Sequence, residues 1–81
     1  MLHISSELIE AISAIPKTHE KDFYYDAIIE AMETHCSDAY TRGYLTRTLE
    51  VDSESYFYPN EMLGEFLDFL KRMQHYTKEK K

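Results

Sequence analysis

The feature that most constrains this chain is a stripe of apolar residues near its C-terminal end. Leu63, Phe66, Leu70 and Met73, flanked by Met62, Phe69 and Tyr76, recur at helical spacing. That pattern commits residues 60–77 to one amphipathic helix with a broad apolar face, which the rest of the chain has to cover. Asn60, after Pro59, stands at the expected N-cap. Glu61, Glu65 and Asp68 lie early in the stretch and Lys71, Arg72 and Lys78 late, which suits the helix dipole. Asp68 is one turn from Arg72 and can pair with it. In 81 residues, 43% of them hydrophobic, the cover has to come from a single small domain spanning 1–81.

The first half of the chain supplies two helices. Ser5 can cap a helix through its hydroxyl, Glu7 favours the positive helix end, and Ile4 and Ile9 stand at the positions of a hydrophobic staple. Leu8, Ile12 and Ile15 form its apolar face, and Pro16 stops it. A second helix is expected over about 19–35, with Thr18 at its start and Glu20 and Asp22 in the first turn. Phe23, Ala27, Ala31 and His35, flanked by Tyr24, Ile28 and Met32, set its period, and Ser37-Asp38 breaks it.

Residues 38–58 decide the fold class. Leu45 to Val51 alternates apolar with polar except at Arg47 and is rich in β-branched side chains. Tyr40 and Tyr44 are followed at helical spacing by Thr48 and not by an apolar residue. With Asp52-Ser53-Glu54 as a turn and Ser55-Tyr56-Phe57-Tyr58 as a second strand, the stretch reads as a β-hairpin. The expected fold is therefore α+β: two N-terminal helices, a short hairpin and a long C-terminal helix. The alternative is an all-α bundle in which residues 38–50 form a third helix.

Fifteen Asp and Glu stand against nine Lys and Arg, but the imbalance is not uniform. Residues 1–70 carry fourteen acids and four bases, a net −10, whereas the last eleven carry five bases and one acid. An acidic body opposes a phosphate-gripping role, so nucleic acid is not the expected partner. The basic group sits where a helix terminus welcomes positive charge. A small DNA-binding regulator using Arg42, Arg47 and that tail is the minor alternative. Nothing approaches the roughly 20 apolar residues of a membrane span. The start, Met1-Leu2-His3-Ile4, lacks the pattern of a secretory signal. Cys36, the single cysteine, makes no internal disulfide, and a cytoplasmic protein without membrane attachment is expected.

Catalytic signatures are absent. Gly43 and Gly64 stand alone, so there is no phosphate-cradling loop, and no Cys-x-x-Cys or His-Glu-x-x-His occurs. His35 and Cys36 are adjacent, which on a helix turns them about 100° apart, poor geometry for one metal or for a base and its nucleophile. Either chemistry would need His19 or His75 brought over by the fold. The carboxylate pairs Asp22/Asp26 and Glu30/Glu33 repeat as a solvated helix face does. The expectation is no enzyme, no catalytic or metal-binding residue and no cofactor.

Two clusters mix tyrosines with acids: Asp22-Phe23-Tyr24-Tyr25-Asp26, and Glu50 to Tyr58. Seven tyrosines exceed what one small core can bury with every hydroxyl satisfied, so some face solvent. Exposed tyrosine beside carboxylates suits docking on a basic surface, which the carboxylates also help to find. The candidate partner-binding residues are Asp22, Tyr24, Tyr25, Asp26, Glu50, Asp52, Glu54, Tyr56 and Tyr58.

Two short patterns carry a family likeness. Asp38-Ala39-Tyr40-Thr41-Arg42, then the alternating stretch, Tyr56-Phe57-Tyr58 and an acidic-aromatic last helix resemble the small dGTPase-inhibitor proteins of lytic phages over about 38–76. The N-terminal half departs from that family, since the helical Ala27-to-Thr34 segment stands where a strand is expected. Ser53-Glu54-Ser55-Tyr56-Phe57-Tyr58-Pro59 is similar to the tyrosine-bearing segment of DNase-bacteriocin immunity proteins, although Arg42 and Arg47 stand where that family is acidic. The first resemblance implies a phage protein with a host dNTP hydrolase as target and no catalytic residues of its own. Together with the charge pattern it gives the expected function: an acidic inhibitor that blocks a basic nuclease, dNTP hydrolase or other nucleic-acid enzyme, occupying ground built for phosphates. The alternative is a structural or regulatory module that self-associates through the 60–77 helix.

Overall fold

The Ser5 hydroxyl accepts a hydrogen bond from the Leu8 amide at 3.1 Å and opens α1, Ser6–Ser13, as its position predicts. The computed structural model describes residues 2–16 and 20–79, with side chains as far as His75. Leu8 and Ile12 are fully buried, Ile15 is half-buried, and the helix ends at Ala14 ahead of Pro16. Ile4 joins the core, and Ile9 is partly buried against the core cluster.

Helix α2, Lys21–His35, starts after an extended Glu20 that makes no side-chain cap. The expected start at Thr18 and the residue His19 lie outside the described residues. Its buried row is Tyr24, Ile28, Met32 and then Cys36, one position on from the row read in the sequence. Phe23 and His35 are exposed.

The expected hairpin is corrected. Residues 39–55 form a helix, α3 (Ala39–Ser55), and no strand occurs among the described residues. The alternative all-α bundle is the architecture adopted, with the third helix running five residues past the expected end. Asp38 caps α3 by accepting from the Thr41 amide at 3.2 Å and from the Thr41 hydroxyl. The core row is Thr41, Leu45 and Leu49, at uniform spacing of four. The apparent alternation arose because Leu45 and Leu49 face inward while Val51 faces outward, 57% exposed. Tyr40 and Tyr44 belong to the outer face too, so the absence of an apolar residue at Thr48 says nothing about the core. An isolated two-stranded hairpin would have been marginal, whereas the helix buries two leucines against its neighbours. Of the second expected strand, Ser55 ends α3 and Tyr56 is locally extended but unpaired.

Helix α4, Pro59–Glu79, begins one residue earlier than expected, with Pro59 already in its first turn. Asn60 is therefore not the N-cap, and its side-chain oxygen instead accepts from the Tyr24 hydroxyl at 3.0 Å. Met62, Leu63, Phe66 and Leu70 are buried, Phe69 and Met73 are half-buried, and Asp68 pairs with Arg72 at 3.2 Å.

The four helices form a ring in chain order, each packed on its neighbours, with α4 closing onto α1 and α2 also touching α4. Cross-ties fix the directions. His3 donates its amide to the buried Thr41 hydroxyl, and Gln74 donates to the Ile4 carbonyl. At the other end Lys21 donates to the Tyr56 carbonyl. The bundle is thus up-down-up-down and 39 Å long, and one pole gathers the start of α2, the end of α3 and the start of α4.

Candidate functional site

That pole unites the two tyrosine-acid clusters, which are about 25 residues apart in sequence. The Lys21 ammonium donates to the Tyr56 carbonyl at 2.8 Å, and the Tyr24 hydroxyl donates to Asn60 at 3.0 Å. Residues 20–26 and 50–65 bring eight carboxylates and one lysine to this end. Glu20, Asp22 and Glu61 sit in or beside the first turns of α2 and α4, where the helix dipole favours negative charge, and Glu65 lies one turn further along α4. Glu50, Asp52 and Glu54 do not. They occupy the last two turns of α3, the negative end of that helix, with no basic residue in its final turn. Acids at that end run against the helix dipole, which favours positive charge there.

The protonation of three groups reflects burial first and the neighbouring acids second. Partial burial, then the charge of Glu65, raises the Asp52 carboxyl above its ordinary value. Partial burial raises the Tyr56 hydroxyl, helped by Glu65, Asp52 and Glu61, with Tyr56 also hydrogen-bonded to Glu65. Partial burial likewise raises the Tyr25 hydroxyl, followed by the charges of Glu50 and Asp26. Both tyrosines stay protonated at neutral pH and present O–H donors ringed by carboxylates.

Of the candidate residues, Asp22, Asp26, Glu50 and Glu54 are exposed, and Tyr25, Asp52 and Tyr56 are half-buried. Tyr58 is 59% exposed and stands edge-on to Phe57, ring centroids 5.1 Å apart. Tyr24 is different. It is fully buried, a core residue with a satisfied hydroxyl, and its side chain does not reach the surface. Phe57, 83% exposed, belongs to the pole and is absent from the sequence-derived set, as are Glu61 and Glu65. An apolar ring between two tyrosines reads as strand filling until the chain at 56–58 is seen as a connection. Residues such as Glu61 look fully explained by the helix dipole.

The arrangement offers charge and aromatic surface. Among the described residues no group of three or more His, Cys, Asp or Glu is placed to hold a metal ion. Cys36 is buried, its thiol directed to the Asp38 carbonyl at 3.7 Å. Among the described residues no helix is long and apolar enough to cross a membrane. Comparison with protein-family models, with curated proteins and with solved structures finds no match to this chain.

Proposed function

We propose that this protein is a small non-enzymatic binding module that docks its acidic, aromatic pole on the basic surface of a partner protein. The reading rests chiefly on one observation: Glu50, Asp52 and Glu54 crowd the unfavourable end of α3, beside Tyr25, Tyr56 and the exposed Phe57–Tyr58 pair. In its narrower form the partner is a nuclease, dNTP hydrolase or other nucleic-acid enzyme in the cytoplasm, inhibited because carboxylates occupy its phosphate-binding ground. Carboxylates supply steering and salt sensitivity, and the aromatic pair supplies desolvated contact area. Reversing Asp52 and Glu54 to Lys should leave the fold intact and remove binding. Capture that persists with that variant, or that ignores salt, would sink the reading.

A second reading, the self-associating structural or regulatory module, is favoured by a separate observation. The apolar stripe expected to carry it on α4 is largely spent on the core, since Met62, Phe66 and Leu70 are fully buried. The outer face of α3 instead exposes Tyr40, Tyr44 and Val51.

A further inference from the structure

Four residues on the outer face of α3 lie outside the core row. Tyr40 is 62% exposed, Tyr44 45% and Val51 57%, and Arg47 is exposed with no ion pair among the described residues. At 3.6 residues per turn they fall within about 60° of arc, and the core row of Thr41, Leu45 and Leu49 lies about 130° away. Two shallow grooves run along them, one lined by Tyr40, Gly43, Tyr44 and Arg47 and the next by Tyr44, Arg47, Thr48 and Val51. The Tyr44 ring is already fixed by stacking on Phe69 of α4, centroids 6.2 Å apart and nearly parallel.

We propose that this seam pairs antiparallel with the same seam of a second copy, giving a two-fold dimer through α3. The proposal rests on the self-association reading and does not depend on the acidic pole. The spacing of the four residues is four, three, four, the a/d repeat of a helix-pairing seam. It reads the same in both directions. A two-fold axis midway between Tyr44 and Arg47 sets Tyr40 opposite Val51 of the second copy and Tyr44 opposite its Arg47. Each guanidinium then lies against a tyrosine ring, a favourable pairing of cation and π-face. A parallel pair would instead set Arg47 against Arg47. The palindromic spacing thus selects a second copy as the occupant, and charge selects its direction. Gly43, beside the seam, sharpens the case: a Cβ there would meet nothing within 4 Å, so the monomer does not require glycine. Mid-helix glycine costs stability, and its use here is the close approach of a second helix.

The test is sedimentation of the wild-type chain over a wide concentration range, with cross-linking of cysteine variants in a Cys36→Ala background. A dimer is expected, with a dissociation constant raised at least about ten-fold by Arg47→Glu or Tyr44→Ala, the loss of a central anchor. Both sites are on the surface, so circular dichroism should stay helical. Tyr40→Cys mixed with Val51→Cys should form a disulfide-linked pair, and neither variant should cross-link alone. Asp22→Lys with Asp26→Lys, at the acidic pole but on α2, should dimerise as the wild type does. A wild-type chain that stays monomeric throughout overturns both this pairing and the self-association reading. A dimer in which Tyr40→Cys or Val51→Cys cross-links only to itself overturns the pairing and leaves that reading standing.

Discussion

Helices α3 and α4 are the two longest elements, and they allocate their apolar residues differently. In α4 the large apolar side chains mostly point one way, with Met62, Phe66 and Leu70 fully buried and Leu63 nearly so. In α3 only Thr41, Leu45 and Leu49 face the core, and Tyr40, Tyr44 and Val51 point away from it. One helix serves the fold. The other serves the fold with one row and leaves a second row largely exposed. Apolar residues on opposite faces cancel in a periodicity reading, which is why α3 resembled a strand.

The contrast can be broken by substitution. Phe66→Ala in α4 should cost about 3–5 kcal/mol and leave so small a domain largely unfolded in thermal denaturation. Within α3, Leu45→Ala should cost about 2–5 kcal/mol and Val51→Ala less than about 0.5 kcal/mol, measured by urea denaturation at protein concentrations where the chain is monomeric. Equal losses at the two positions would refute the two-row description.

Smaller effects sharpen it. Asp38→Ala should lower the midpoint of thermal unfolding by removing the α3 cap. The hydrogen bond from Thr41 holds the Asp38 carboxyl below its ordinary value. Its contribution is therefore complete above the unfolded carboxylate range and lost as pH falls through the folded value. Wild type and variant should converge in acid. Gly43→Ala should stabilise the monomer by about 0.8–1 kcal/mol, since nothing stands in the way of the added methyl. Asp52→Asn should stabilise by no more than about 0.5 kcal/mol at neutral pH. Its sign with pH is opposite to that of Asp38. A raised carboxyl favours the fold while protonated, so the wild type loses that margin as pH rises through the folded value, and the advantage of Asn vanishes in acid. Thermal melts of the three proteins across pH separate the two carboxylates.

Much of the bundle was legible because its signals are local. Ser5, the Ser37-Asp38 break and the Asp68–Arg72 pair depend on residues three or four apart, and each is found where the sequence places it. The stripe of α4 was legible because one face dominates it. The row of α2 was misplaced by one residue because Phe23 and Tyr24 are both aromatic, and only packing decides which is buried. The tyrosine-acid clusters were recognisable as compositions. Their union at one pole was not, since it depends on the antiparallel course of α2, α3 and α4. The burial of Tyr24 likewise follows from the position of Asn60, 36 residues away, which sequence spacing does not reveal.

The account turns on the acidic pole as a docking surface. The most direct measurement is capture from cell lysate on immobilised wild-type protein and on the Asp52→Lys, Glu54→Lys variant, at low and at high salt, with bound proteins identified by mass spectrometry. The account predicts a basic protein held by the wild type at low salt, released at high salt and missing from the variant. A partner held equally by both proteins, or by neither at any salt, would contradict it.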